Sequence, residues 1–190
     1  FRCGFLGMLH LEIVKERLLR EYNVPIIATT PSVGFLIKLK SGEEILVNNP
    51  ADFPDPSFIE VIKEPYMETE IIVPTEYIGN VMKLAQERRG IQKDIQYLDE
   101  KRVALHYEMP LIEIIFDFYD KLKTVSRGYA SLDYTFLEYR PSDVVKVDIL
   151  INGEKVDAMS FICHKDKAHN WGKSVTDTLA EVIPRHLFKI

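Results

Sequence analysis

From Met67 to Phe136 the spacing of apolar residues switches between alternate positions and helical steps in a fixed order. That order restricts the fold more than any other property of the chain. Met67, Thr69, Ile71 and Val73 alternate with Glu68 and Glu70, the period of a half-buried strand. Pro74-Thr75-Glu76 supplies a cap and an acidic first turn, after which Tyr77, Ile78, Val81, Leu84 and Ala85 fall on one helical face. Arg88-Arg89 in the last turn and Gly90 beyond it match the helix dipole and a glycine stop. Residues 91–98 read as a second strand, Asp99-Glu100-Lys101 as a turn, and Val103, Leu105, Tyr107 and Met109 as the alternating face of a third. Pro110 suits the first position of a second helix, whose apolar face is Leu111, Ile112, Ile115, Phe118, Tyr119 and Leu122. Leu132, Tyr134 and Phe136 then mark a fourth strand. The resulting order, β-α-β-β-α-β, is ferredoxin-like, and the fold class it predicts is α+β, a sandwich of helices on sheet.

The flanks carry less. Leu6, Leu9, Ile13, Leu18 and Leu19 with intervening charges predict an amphipathic helix, followed by a short strand over 24–29. Phe35, Ile37 and Leu39 turn at 40–43 and return through Ile45 and Val47, a hairpin. Residues 48–56 hold three prolines and two aspartates and read as a turn-rich linker, which puts a domain boundary near Glu64-Pro65. Beyond Arg140, Val145, Val147, Ile149 and Ile151 alternate, Asn152-Gly153 is a strong two-residue hairpin signal, and 156–163 return. Ala168, Trp171, Val175, Leu179 and Val182 predict a last helix, weakened by Gly172. The expected division is 1–62, 63–139 and 140–190, with both chain ends expected to fall inside folded units.

Twenty-four Lys and Arg against 29 Asp and Glu leave a net charge of −5, so nucleic acid can be held only by local patches. Cys3 and Cys163 are too few for a disulfide framework and suit a reducing, cytoplasmic setting. No GxxxxGK[ST] or GxGxxG occurs, and the histidines are scattered, so neither nucleotide nor metal binding is expected in this chain. Cys163 and His164 adjoin in a strand and face opposite ways, which favours a buried thiol over a catalytic pair. Glu113, Asp117 and Asp120 read as one solvated helix face. The third strand lacks the glycines and aromatic pair of an RNA recognition motif, so base stacking on the sheet is not expected.

Two basic segments remain. Lys121, Lys123 and Arg127 lie in a stretch without an acid, between the second helix and the last strand, where a solvated helix end and a phosphate contact are both readings. Lys165, Lys167, His169 and Lys173 gather in the first half of the last helix, where the dipole disfavours cations and an RNA backbone would favour them. Arg88 and Arg89 have a structural explanation in the dipole and are weaker candidates.

Several segments resemble the LepA family of translational GTPases, also called elongation factor 4 and in older usage back-translocases. They are Gly4-Phe5-Leu6-Gly7-Met8-Leu9-His10-Leu11-Glu12, Asn49-Pro50-Ala51-Asp52-Phe53-Pro54, Arg88-Arg89-Gly90, Phe116-Asp117-Phe118-Tyr119-Asp120, Ser126-Arg127-Gly128-Tyr129-Ala130-Ser131 and Asp148-Ile149-Leu150-Ile151-Asn152-Gly153-Glu154-Lys155-Val156-Asp157. The first and fifth are also similar to elongation factor G; the stretch from Val144 onward separates the two. The resemblance implies the latter half of a domain III with its exit hairpin over 1–62, a ferredoxin-like domain V over 63–139, and the beginning of a LepA-type C-terminal domain over 140–190. It implies that GTP and Mg²⁺ belong to a G domain absent here, so that this chain has no catalytic, cofactor or metal residues of its own. It further implies a ribosome partner: large-subunit rRNA near the stalk base for Lys123 and Arg127, with Lys121, Arg88 and Arg89 beside them, and tRNA for Lys165, Lys167, His169 and Lys173. The missing GTPase domain would be a partner in cis. The implied role is action on tRNA-bound ribosomes, back-translocation or fidelity, in the cytoplasm, with peripheral attachment of the parent to the inner membrane as a further expectation. The competing reading is a ferredoxin-like, small-molecule-sensing regulatory module that dimerises through a sheet edge.

Overall fold

The structure is a computed structural model that describes residues 8–26, 33–115 and 117–183. It divides into two units, Phe1–Pro31 and Ser32–Ile190. The first contains α1, Met8–Tyr22, held along its surface by Arg17–Glu21 and Arg20–Glu16 pairs one turn apart. Asn23, at φ 54°, ends it in the left-handed conformation that asparagine tolerates. Residues 24–26 take no regular structure; the rest of the strand expected over 24–29, like Leu6 and Cys3, lies outside the described residues.

The second unit is built on one long strand. β1 (Phe35–Leu39) and β2 (Glu44–Val47) form the expected hairpin, and the linker after it folds into two short turns capped by Asn49 and Asp55. β3 then runs from Ile59 to Pro74 without interruption. Glu64-Pro65, near which a domain boundary is expected, lies within this strand: Pro65 sits opposite Tyr139 just before a register shift at Tyr66/Met67, a place where a ladder tolerates a missing N–H.

After β3 come α2 (Ile78–Glu87), β4 (Ile91–Tyr97), β5 (Arg102–Pro110), α3 (Leu111–Ile115), α4 (Phe118–Val125) and β6 (Ser131–Pro141). The early part of β3 pairs with β1, and its later part lies between β5 and β6, all antiparallel. Within the ferredoxin-like portion the strands therefore lie in the order β4-β5-β3-β6. The second helix arrives as two pieces, α3 and α4, rather than one.

Alternation does the packing. Met67, Ile71 and Val73 with Val103, Leu105, Tyr107 and Met109 form the inner sheet face, covered by Val81, Leu84, Ala85, Ile114, Phe118 and Leu122. Thr69 is the polar member of that face, and its hydroxyl donates to the Tyr107 carbonyl at 3.0 Å. A second cluster joins Val33, Phe35, Ile37 and Val47 to Ile112, Val144 and Ile162. α3 thus serves two cores, with Ile114 turned into the first and Ile112 into the second.

The C-terminal part contains β7 (Val144–Val147), β8 (Leu150–Ile151), β9 (Glu154–Lys155), β10 (Phe161–His164) and α5 (Lys165–Val182). The expected hairpin is present but divided: β7 pairs with β10, and β8 with β9 around Asn152-Gly153, both at positive φ as a type I′ turn requires. The division falls at Asp148, whose carboxylate accepts from the Ser160 hydroxyl at 2.8 Å and so ties the two sides across the gap. α5 continues through Gly172 to Val182.

Candidate nucleic-acid interface

α2 and α4 end in the same way. Gly90 N donates to Ala85 O and Arg89 N to Gln86 O; Gly128 N donates to Lys123 O and Arg127 N to Thr124 O. These paired bonds are the Schellman motif, in which the first residue past the helix cap, usually a glycine, takes the left-handed conformation. Here that residue is an arginine both times, Arg89 at φ 57° and Arg127 at φ 50°. A side chain in this region is strained by the order of 1 kcal/mol. The two arginines then diverge.

Arg89 turns inward. Its guanidinium grips Glu64 through both terminal nitrogens, at 2.6 and 3.0 Å, and Glu113 through Nε at 2.9 Å. Arg88, which is buried, reaches Asp117 at 2.5 Å and Glu113 Oε2 at 3.7 Å, and Lys167 from α5 binds that same oxygen, the one Arg89 leaves open. Glu113, 2% exposed, is therefore a hub, not part of a solvated face as expected; of that trio only Asp120 is exposed. The reason is the position of α3 between the two cores, which points one polar side chain into a dry site where α2 and α5 supply cations. Burial by itself would raise the Glu113 carboxyl, but Lys167 and Arg89 outweigh it and hold it below its ordinary value. Asp117 behaves likewise, burial being overcome by Lys121 and Arg88.

Arg127 turns outward, exposed, with no ion pair for its guanidinium among the described residues. The loop that presents it is anchored by Ser126, whose buried hydroxyl donates to Leu122 O at 2.7 Å and accepts from Ala130 N at 3.0 Å. Lys123 donates to Gly128 O at 3.2 Å and lies 5.3 Å from the centre of the Tyr119 ring, while Lys121 pairs with Asp117 at 2.8 Å. Tyr129 projects beside them, its ring nearly parallel to that of Tyr77 at 6.3 Å. The aromatic members of this surface were not singled out from sequence, although Tyr129 follows directly on the second Arg-Gly pair, and the recurrence of Arg-Gly after two predicted helices was a usable signal.

On α5, Lys165, His169 and Lys173 are exposed and follow one another at steps of four, which keeps them to one side of the helix. Lys167, out of step, is the one drawn to Glu113. His164 caps the helix, its Nδ1 accepting from Asp166 N at 3.3 Å. Cys163 is buried, and burial pushes its thiol up to about 11, as suits an inert side chain. The structure thus gathers Lys121, Lys123 and Arg127 into one surface and Lys165, His169 and Lys173 into another, and commits Arg88, Arg89 and Lys167 to internal carboxylates. The open sheet face carries Glu68, Glu70, Asp94 and Asp133 beside Glu108, whose carboxylate is bridged by Lys93 at 3.0 Å and Arg140 at 2.7 Å. Among the described residues no three His, Cys, Asp or Glu side chains could hold a metal ion, and no helix is long and apolar enough to cross a membrane.

Comparison with known proteins bears on this arrangement. Residues 61–150 match the family described as elongation factor G C-terminus, and residues 151–190 the one described as GTP-binding protein LepA C-terminus. Proteins named Elongation factor 4 align over the entire chain: one from Anoxybacillus flavithermus is 55% identical over 190 residues, which is 31% of its own length. One from Thermus thermophilus is 56% identical over 192 residues and 32% of its length. A solved crystal structure, also from Thermus thermophilus, covers 43% of this chain and 12% of its own at a TM-score of 0.40 and 26% identity, too slight a likeness to speak to the fold. The chain spans about a third of the length of the relatives it matches. With its full-length alignment at this identity and its two C-terminal family matches, the chain belongs to the LepA, or elongation factor 4, family.

Proposed function

We propose that this chain is a ribosome-docking portion of a translation elongation factor-like protein and that it works by binding RNA rather than by catalysis. The observation that carries this reading is the sorting of its basic side chains: Arg88, Arg89 and Lys167 are matched by carboxylates around Glu113, while Lys123 and Arg127 on one surface and Lys165, His169 and Lys173 on another face outward. On a chain of net charge −5, such local patches are where phosphates would be held. The loop of Lys123 and Arg127 would meet large-subunit rRNA near the stalk base, and the face of α5 would reach tRNA. GTP and Mg²⁺ would be handled by a G domain elsewhere in the protein, whose nucleotide state would change how these domains dock and so bias a tRNA-bound ribosome between its translocation states. The setting is the cytoplasm, on ribosomes.

Co-sedimentation with ribosomes across a salt series tests it. The expected result is salt-sensitive pelleting that Lys123→Ala/Arg127→Ala weakens, with log affinity falling linearly in log salt and a shallower slope for the variant. A folded chain that does not pellet even at low salt would overturn the reading.

A further inference from the structure

We infer that Tyr129 is a stacking platform for an unpaired RNA base, so that the surface around Arg127 takes a single-stranded loop rather than a duplex. The inference rests on the RNA-docking reading above and says what form of RNA that surface takes.

Three observations converge. Tyr129 is 68% exposed although it lies within a tightly bonded loop, between Ser126, which is fully buried, and Ala130, which is as well. An exposed aromatic on a loose tip is commonplace, but here Ser126 ties the end of α4 to Ala130 and so holds the backbone that carries the ring. Tyr77 backs it nearly in parallel, 14° between planes, which holds the ring in a set orientation. Stacking on a pre-oriented ring loses little conformational entropy.

The charges around the ring are arranged for the rest of a nucleotide. Arg127 is close enough to act electrostatically on the Tyr77 phenol, and Lys123 stands over the Tyr119 ring, so cations and aromatic faces are interleaved on this surface. That combination of phosphate partners and π-faces is how proteins hold single strands. Tyr129 also borders a cleft of about 690 Å³ lined by Glu76, Asp99 and Glu100 together with Lys101 and Arg102, the last paired with Asp99 at 2.8 Å. Its carboxylates accept hydrogen bonds from exocyclic amino groups and its cations attract phosphate, so a nucleotide stacked on Tyr129 meets partners there for both its base edge and its backbone. A base paired in the interior of a duplex has no face to offer Tyr129, because both are covered by its neighbours.

The test uses the whole chain and two fluorescent RNAs of equal length, a hairpin with a single-stranded loop and a blunt duplex, with affinities read by anisotropy. Wild type is expected to bind the hairpin about tenfold more tightly, the size of one stacked base. Tyr129→Phe should keep that preference and Tyr129→Ala should lose it, with duplex affinity unchanged and folding verified by circular dichroism. One abasic position in the loop should reproduce the loss for wild type and add nothing to Tyr129→Ala. If Tyr129→Ala keeps the preference while Lys123→Ala/Arg127→Ala weakens both RNAs, stacking is overturned and phosphate docking at this loop stands. If no variant alters binding, or wild type binds neither RNA, both are overturned.

Discussion

Arg89 and Arg127 occupy the same backbone position in the same motif, and replacing each by glycine should have opposite effects. Glycine relieves the left-handed strain at either site. At 127 nothing internal is lost, so Arg127→Gly should raise stability by about 1 kcal/mol in urea titration while lowering RNA affinity. At 89 the same change strands Glu64, 0% exposed, without its bidentate partner, and should cost on the order of 3 kcal/mol. Glu113 sets a pH dependence. Its folded carboxyl lies below the ordinary 4.5, so its contribution is fully present above that pH and is lost as pH falls through the lower folded value. Asp117 acts in the same sense. Wild type should therefore lose stability steeply below about pH 4.5, and Glu113→Gln, though less stable at neutral pH by about 3 kcal/mol, should show a shallower decline over that range.

Among the elements, α5 invites one substitution. A β-carbon built on Gly172 would meet Val147 at 3.7 Å, ordinary contact, so Gly172→Ala should stabilise the chain by about 0.5–1 kcal/mol, seen as a higher urea midpoint with unchanged slope. The glycine weakened the sequence-based expectation of this helix, yet packing against β7 carries it through. Where apolar periodicity was strong, over 67–136, the elements and their order were legible from sequence. What was not legible came from partners distant in sequence: Glu113 reads as solvated from its own helix because the cations that pair with it lie just beyond α2 and on α5, and β3 reads as starting only at Met67 because Pro65 is a breaker only where a ladder needs its N–H. The same holds for the candidate interface. Lys123 and Arg127 could be found by charge, but only the fold shows that Arg89, with identical local sequence grammar, is turned inward, and that Tyr129 is turned outward.

At the scale of the molecule, α3 joins two hydrophobic clusters that would otherwise be separate. Ile112→Ala, which opens the second cluster, should cost about 2–4 kcal/mol. It should shift one transition rather than split it. The single tryptophan, Trp171 on α5, and far-ultraviolet circular dichroism of the sheet should report the same midpoint in wild type and variant, and divergence of the two probes would show that the clusters unfold independently.

β3 is also a mechanical part. Sixteen residues at about 3.3 Å each make a girder about 50 Å long, bonded along its flanks to β1, β5 and β6. A girder loaded end to end does not bend at a hinge; it moves whole, because shearing it would break many ladder bonds at once. One end is gripped by the hairpin and the other runs straight into the turn that carries Tyr77, the ring behind Tyr129. A push on the hairpin end would therefore reach the aromatic surface as a translation of nearly equal size, making β3 a pushrod between two distant faces of one small body.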